Sequence, residues 1–133
     1  MDRLFLDANI LFSAAYREGS PLHRLWDRKN AGLLTSGYAV LETERHLDDD
    51  QRARLAELLK AVRIVAEAPA RALPRQVVLR AKDVPILAAA VAAGATHLIT
   101  GDRRDFGPHF GKKLGGVLVV PPRDNLSASR RRR

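Results

Sequence analysis

Residues 82–102 read KDVPILAAAVAAGATHLITGD, and this stretch decides the fold. Asp83, Val84 and Pro85 form a helix-start signal, because proline is well tolerated in the first helical turn, and Gly94 is a typical helix terminator. The apolar segment THLIT then reads as a short strand that ends in a polar turn. A helix followed closely by a short apolar strand is typical of α/β folds with a mainly parallel sheet.

The same pattern extends outward in both directions. Four further short apolar segments are predicted strands: RLFL (3–6), LLT (33–35), RIVA (63–66) and VLVV (117–120). Predicted helices lie between them: ILFSAAY after Asn9, a segment from Pro21 to Gly32, a helix capped by Ser36, and QRARLAELLKAV after Asp48–Asp50. The sequence therefore predicts a single α/β domain over residues 1–122 with a mainly parallel sheet.

Length and composition exclude several classes of protein. A chain of 133 residues suits one domain with a substantial core. It contains no cysteine, which removes disulfides, thiolate catalysis and cysteine-based zinc sites, and we expect a cytoplasmic protein. Because no apolar run has the length of a membrane span and the first residues lack a signal-peptide pattern, we expect no association with a membrane.

The charge is strongly basic and unevenly distributed. The formal net charge is +8, and the four arginines at 130–133 supply half of it. Residues 123–133 are predicted to form a disordered basic tail, because Ser, Ala and Arg cannot bury enough apolar surface to fold. This balance favours a polyanionic partner, with nucleic acid first. A solvated tail without a partner is the alternative.

Five acidic residues fall near positions where predicted strands end. Asp7 ends the first strand, and Asp102 and Asp105 follow the fourth. Asp83 begins the helix that leads into that strand, and Glu42 lies in the helix after the second. Ligands of parallel α/β sheets bind beyond the carboxyl ends of the strands, so these acids could share one site. Carboxylates without histidine or cysteine suit Mg²⁺ or Mn²⁺, which can activate water and stabilise a phosphodiester during displacement.

Each acid also has a structural alternative. Asp83 is a good helix N-cap, Asp102 is an ordinary turn residue, and Glu42 could be a solvated helix position. Asp7 is harder to explain in this way, because it lies between two apolar segments, where an unpaired charge would be costly to bury. The shared placement of the acids favours a site.

The sequence resembles the PIN-domain family, small metal-dependent ribonucleases that often act as toxins of toxin–antitoxin pairs. The resemblance is carried in order by LDAN (6–9), Glu42 in VLET, Asp83 in KDVPILAAAVAAGATHLITGD and TGDRRDF (100–106), and it runs from Leu4 to about Val120. It implies a three-layer sandwich around a five-stranded sheet. It also implies that Asp7, Glu42, Asp83 and Asp102 surround Mg²⁺ or Mn²⁺, with Asp7, Asp83 and Asp102 as ligands and Asp105 as a more variable additional acid.

The resemblance also implies supporting roles for neighbouring residues. Asn9 and Thr100 look like the family's polar supports, which orient ligands or the attacking water. Ala8 stands where many members have Ser or Thr, so one possible hydrogen bond is lost. Four basic residues are expected to contact RNA: Arg103, Arg104, Lys112 and Lys113. Arg103 and Arg104 could instead pair with the neighbouring carboxylates.

The predicted function is that of a metal-dependent endoribonuclease acting on single-stranded RNA. The resemblance implies the toxin of a toxin–antitoxin pair, with a cognate antitoxin and a second copy of the chain as partners. One alternative is a catalytically inactive PIN-like module that binds RNA or protein. A less favoured alternative is an aspartate-nucleophile phosphatase, which would need a second acid two residues after Asp7, where this chain has Asn9.

Overall fold

A computed structural model describes residues 1–123 of the chain, so the predicted tail lies outside the described residues apart from Arg123. Six strands form one sheet: β1 Asp2–Leu6, β2 Ala31–Ser36, β3 Val62–Val65, β4 His97–Ile99, β5 Lys113–Leu114 and β6 Val117–Val120. Their order across the sheet is β3-β2-β1-β4-β6-β5. All neighbouring pairs are parallel except β5 and β6. The predicted α/β fold with a mainly parallel sheet is therefore confirmed.

Helices connect the parallel strands. The four α-helices are α1 Ala8–Tyr16, α2 Gly37–Glu44, α3 Asp49–Leu59 and α4 Val84–Ala92, and short 3-10 helices cover Pro21–Leu25, Ala70–Ala72 and Gly107–His109. Leu4, Phe5 and Leu6 in the central strand β1 are all fully buried. Successive residues of a strand point to opposite faces, so both faces of the sheet are covered, as in a three-layer arrangement.

The helix boundaries follow from local capping. The acids at 48–50 begin α3: the Asp48 side chain accepts a hydrogen bond from the Gln51 backbone, and the Gln51 side chain accepts one from the Asp48 backbone. Ser36 accepts a bond from the backbone of Ala39 and begins α2. Gly94, with φ of 70°, follows the end of α4. None of the helices within residues 1–123 has the length and apolar character needed to cross a lipid bilayer.

The sheet has one strand more than the five that were predicted. Strand β5 contains only two residues and pairs antiparallel with β6 through Lys113 opposite Leu118 and Leu114 opposite Val117. Gly115 and Gly116 join the two strands and have φ of 59° and 86°. A two-residue turn with positive φ at both positions matches the twist of a hairpin, and glycine adopts it without strain. Two residues are too few to show an alternating pattern, so only the glycine pair signals this hairpin.

The predicted helix from Pro21 to Gly32 is wrong in its second half. The structure has only the 3-10 helix Pro21–Leu25, and Gly32 lies inside β2. The following turn is held by tertiary contacts: Trp26 Nε1 donates to the Leu58 carbonyl at 2.9 Å, and Arg28 forms an ion pair with Asp2 at 3.1 Å. These contacts lead the chain into β2 instead of continuing a helix.

The parallel strands bring distant residues to one edge of the sheet. In β1 and β4, Leu6 is in register with Ile99, and the backbone N–H of Asp7 donates to the Ile99 carbonyl at 3.1 Å. The residues that follow these two strands therefore emerge side by side at the carboxyl edge.

Candidate metal centre

Asp7 lies at the junction between β1 and α1 and is buried, with 5% of its surface exposed. Its Oδ1 accepts from the Ala8 backbone at 2.7 Å. Its Oδ2 accepts from the Thr100 hydroxyl at 2.8 Å and from Asn9 Nδ2 at 3.2 Å. Burial raises the pKa of Asp7 above its ordinary value and the charge of Asp102 adds to this, while the bonds from Thr100 and Ala8 act in the opposite direction. Asp7 is therefore a buried carboxylate with several hydrogen-bond donors.

Hydrogen bonds connect the loop after β4 to the same network. Thr100 is fully buried, and its Oγ1 accepts from the Asp102 backbone at 3.1 Å. Asn9 Oδ1 accepts from the Gly101 backbone at 2.9 Å. Further along, Asp102 Oδ1 accepts from the Asp105 backbone at 3.0 Å. Thr100 and Asn9 thus connect the end of β1 to the loop that carries Asp102 and Asp105.

Three carboxylates lie close together beside this loop. Asp83, Asp102 and Asp105 each offer one carboxylate oxygen, and these oxygens all lie within 4.8 Å of one another. Opposite ligands of a Mg²⁺ ion are about 4.2 Å apart, since each Mg–O distance is about 2.1 Å. Small side-chain adjustments would therefore bring the three oxygens around one ion. Asp105, which the family resemblance implies is a more variable additional acid, lies within this cluster.

Asp83 shows most directly what the cluster can bind. Asp83 stands at the N-cap position of α4, but its side chain makes no capping bond there, so capping does not account for its buried carboxylate. Its Oδ2 is buried and has no hydrogen-bond partner among the described residues. Burial, with the neighbouring Asp105, raises the pKa of Asp83 to about 6, although Lys82 acts in the opposite direction. An unpaired buried carboxylate oxygen beside two other carboxylates fits a divalent cation with oxygen ligands.

Two cations that the sequence did not single out contact the cluster. Lys82 Nζ lies 3.1 Å from Asp83 Oδ1, 3.1 Å from Asp105 Oδ2 and 3.6 Å from Asp102 Oδ2. Arg80 Nε lies 3.2 Å from Asp105 Oδ1. Both residues lie in the polar segment of residues 69–82. Its only signal is the presence of basic residues one and three positions before Asp83.

These cations change the acid–base properties of the cluster. Burial alone would lower the pKa of Lys82, but hydrogen bonds to Asp83 and Asp105 and the charges of Asp83 and Asp102 raise it above its ordinary value. Burial alone would raise the pKa of Asp105, but the hydrogen bond from Lys82, a hydrogen bond that Asp83 can donate when it is protonated, and the charges of Arg80 and Lys82 lower it overall. Asp105 therefore remains ionised under conditions in which Asp83 takes up a proton.

A cleft of about 510 Å³ connects the cluster to the remaining predicted acids. Asp7, Glu42, Asp83 and Asp102 all line it, as do Asn9 and Lys82. The Glu42 side chain is 37% exposed, and its carboxylate pairs with Arg45 at 3.2 Å. Asp7 and Glu42 therefore share the cleft without belonging to the compact group of three carboxylates.

Tyr38 is a further cleft residue that the sequence did not indicate as functional. Its hydroxyl donates to the Lys82 carbonyl at 2.9 Å, and its ring lines the cleft. Tyr38 and Glu42 are four residues apart on α2 and so lie on the same helix face. This four-residue spacing from Glu42 is the feature of the sequence that could have indicated Tyr38 as a cleft residue.

The four predicted RNA contacts occupy different places. Arg103 and Arg104 are exposed in the loop between Asp102 and Asp105, and Lys112 is exposed after that loop. Lys113 lies on β5 opposite Leu118, which is in register with His97 at the amino end of β4. The structure therefore does not bring Lys113 to the acidic edge. Among the described residues, the ion pairs of Asp102 and Asp105 are made by Lys82 and Arg80, not by Arg103 or Arg104.

The chain is similar to a known family and to several solved structures. The family model of the PIN domain matches residues 3–104. A structure of VapBC2 from Rickettsia felis bound to a DNA fragment from their promoter aligns with a TM-score of 0.65 and 14% identity over 90% of this chain and 98% of that chain. No curated protein sequence is significantly similar to the chain.

Two further solved structures have the same fold. Mycobacterium tuberculosis VapC20, described as a sarcin-ricin loop cleaving toxin, aligns with a TM-score of 0.53 and 19% identity over 74% of this chain and 91% of that chain. FitAB bound to an IR36 DNA fragment aligns with a TM-score of 0.55 and 15% identity over 90% of this chain and 94% of that chain. At these identities the structural matches establish the fold alone.

Proposed function

Because the chain belongs to the PIN-domain family, we propose that it is a metal-dependent endoribonuclease that cleaves single-stranded RNA, and that it is the toxin of a toxin–antitoxin pair. The observation that carries the proposal is the buried Oδ2 of Asp83, which has no partner within residues 1–123 and lies beside Asp102 and Asp105. A site of this kind suits a hard divalent cation, Mg²⁺ or Mn²⁺.

Each acid has a defined part in the proposed reaction. Asp83, Asp102 and Asp105 would hold the ion, and Asp7 would complete the site from the end of β1. When bound, the divalent ion would supply electrostatic stabilisation to the phosphodiester and lower the pKa of a water molecule. Glu42, with its partly exposed carboxylate in the cleft, would accept a proton from the attacking water.

Asn9 and Thr100 would act on the orientation of Asp7. Both donate to its Oδ2, so the carboxylate cannot rotate freely. Hydrogen bonds of this kind to ligand carboxylates hold them in position for a metal ion. The same engagement of Asn9 disfavours the phosphatase alternative, because Asn9 supports Asp7 instead of supplying a second acid.

The substrate proposal depends on charge and accessibility. The cleft is open to solvent, and Arg103, Arg104 and Lys112 are exposed in the loop and segment that follow Asp102. Basic side chains of this kind bind phosphates without reading sequence. Lys113 would contact only RNA that extends past β5. The similarity to VapC20, a sarcin-ricin loop cleaving toxin, supports a nucleic-acid-cleaving toxin.

Partners are proposed by analogy with the same structures. VapBC2 and FitAB are two-component complexes bound to DNA, which supports a cognate antitoxin for this chain and, through it, control of a promoter. We also propose a homodimer in the cytoplasm. An inactive binding module is the second candidate, and the complete set of five acids in and around one cleft disfavours it.

Cleavage of labelled single-stranded RNA by purified protein tests the proposal. We expect cleavage with Mg²⁺ or Mn²⁺ that a chelator stops, and loss of at least about 100-fold in rate for Asp83→Asn and Asp102→Asn. Asp50→Asn is the matched control, because Asp50 is exposed at the start of α3. Cleavage that persists at the wild-type rate in both site variants would identify a contaminating nuclease or a different site.

A further inference from the structure

Lys82 occupies the centre of the carboxylate group. Its Nζ contacts one oxygen each of Asp83, Asp105 and Asp102, at 3.1, 3.1 and 3.6 Å. These are the same three residues whose oxygens could hold a metal ion. A positive charge that belongs to the chain is therefore placed where a divalent cation would be attracted.

Lys82 and a divalent metal ion would need the same carboxylate oxygens. Asp102 Oδ1 accepts from the Asp105 backbone, and Asp105 Oδ1 pairs with Arg80. The other oxygens of these two residues, the Oδ2 atoms, both contact Lys82. Among the carboxylate oxygens of Asp83, Asp102 and Asp105, Asp83 Oδ2 is the one that makes no such contact within residues 1–123.

The Lys82 side chain can move while the backbone around it stays in place. Its backbone carbonyl is held by the Tyr38 hydroxyl at 2.9 Å, whereas 56% of its side chain is exposed. The ammonium group lies on a flexible four-carbon stem and can leave the carboxylates for solvent.

We infer that Lys82 and the divalent metal ion compete for Asp102 and Asp105, so that Lys82 weakens metal binding and stabilises the metal-free site. This inference rests on the proposed function, since it concerns the same metal site. Lys82 is a positioning residue in this sense: it neutralises and holds the carboxylates until a metal ion displaces it. The chain thereby requires a higher metal concentration for loading than its carboxylates alone would need.

Calorimetric titration with Mn²⁺ and Mg²⁺ tests the competition in wild-type protein and in Lys82→Met. We expect Lys82→Met to bind metal about tenfold more tightly, the size of effect that loss of a few partly exposed ion pairs would give. Lys82→Arg should keep affinity at or below the wild-type value, because it keeps the charge. Lys29→Met, which removes an exposed lysine before β2, is the matched control and should bind as wild type does.

Thermal melting supplies a readout that does not depend on cleavage. Without metal, Lys82→Met should melt below wild type, because three carboxylates lose their shared cation. With saturating Mn²⁺ the difference should shrink, so the metal-induced shift is larger in the variant. An equal or weaker affinity in Lys82→Met than in wild type would overturn the inference. Absence of metal binding in wild type would instead contradict the proposed function.

A measurement on unmodified protein covers the case in which Lys82→Met does not fold. In nitrogen-15 NMR spectra of wild type without metal, the Lys82 ammonium protons should exchange slowly with water, because they are hydrogen-bonded to carboxylates. Addition of diamagnetic Mg²⁺ should accelerate that exchange with the midpoint of metal binding. Exchange that stays slow at saturating Mg²⁺ would show that Lys82 remains in place and would overturn the inference.

Discussion

The hydroxyl of Thr100 donates a 2.8 Å hydrogen bond to Oδ2 of Asp7, across 93 positions of sequence. The same oxygen atom of Thr100 accepts from the backbone N–H of Asp102 at 3.1 Å. One buried side chain therefore sets the position of the acid after β1 relative to the acid after β4.

Replacement of Thr100 by valine tests this link, because valine keeps the shape and removes the hydroxyl. We expect a loss of about 1–3 kcal/mol in the free energy of unfolding, since a buried carboxylate loses a donor. Cleavage should fall as well. Thr35→Val is the control: Thr35 is equally buried but donates to the Leu6 carbonyl, so it should lose stability without an equal loss of cleavage. Equal effects on cleavage would contradict the link.

The metal-free protein should lose stability as the pH rises toward neutrality. The pKa of Asp83 is about 6 in the folded chain, against an ordinary value of 3.8. A raised folded-state pKa gives stability that is present below about pH 4 and lost as the pH rises through about 6. Asp7, whose pKa is also raised, acts in the same direction.

The variant Asp83→Asn isolates this effect because it cannot ionise. In the presence of a chelator, its melting temperature should approach or fall below that of wild type near pH 4, exceed it increasingly as the pH rises through about 6, and differ by a constant amount at higher pH. No helix cap is lost, because Asp83 makes no capping bond. Melting curves across this pH range provide the measurement. A difference that does not change with pH would show that Asp83 ionises normally in the folded protein.

Glu42 should matter for cleavage and little for stability. Its side chain is 37% exposed and makes an ion pair with Arg45, so Glu42→Gln should change the free energy of unfolding by less than about 0.5 kcal/mol. The rate of RNA cleavage should fall by about 100-fold or more if Glu42 accepts the proton. Glu44→Gln on the same helix, about 200° around its axis, is the control. Equal rates of RNA cleavage for Glu42→Gln and Glu44→Gln would show that Glu42 does not accept the proton.

If the chain is a toxin, the product of an adjacent gene should bind it and suppress its activity. Expression of the chain alone should arrest growth, and co-expression of the neighbouring small protein should restore growth. Co-purification of the two proteins and inhibition of RNA cleavage by the neighbour provide the measurements. Growth that continues under induction, with a cleavage-competent protein in the cell, would leave the nuclease without a toxin role.

The arginines at 130–133, outside the described residues, should affect RNA binding through charge. If each contacts one phosphate, their deletion should flatten the slope of log affinity against log salt by up to about three, at roughly 0.7 per single-strand contact. Binding of single-stranded RNA by Asp102→Asn protein across a salt series, with and without the four arginines, is the measurement. An unchanged slope would assign the arginines to a protein partner or to no contact.

The sequence predicted the central features of the fold because parallel strands carry strong local signals. Segments such as VLVV are short, apolar and bounded by turn residues, and the acids that follow β1 and β4 meet because the strands are parallel and in register. The two-residue strand β5 has no such pattern. Its hairpin also turns Lys113 toward the amino edge of the sheet, which nothing in the local sequence indicates.

The cluster of three carboxylates was harder to predict than the strand ends. The closeness of Asp105 to Asp83 depends on how the loop after β4 folds over the start of α4. Lys82 is adjacent to Asp83 in sequence, but basic and acidic neighbours are common on protein surfaces. Only the three-dimensional arrangement shows that its ammonium group contacts all three acids.

Pro122, two residues beyond β6, lines the acidic cleft. Because β6 runs parallel to β1, the chain enters the sheet at the amino edge and leaves it at the rim of the cleft. A label fused directly after Arg123, in place of residues 124–133, would therefore be tethered next to the acids at a high effective concentration, in the millimolar range for a short flexible connection. An affinity tag or fluorophore at that position would have access to the cleft, whereas the same label before Met1 would be held at the opposite edge of the sheet.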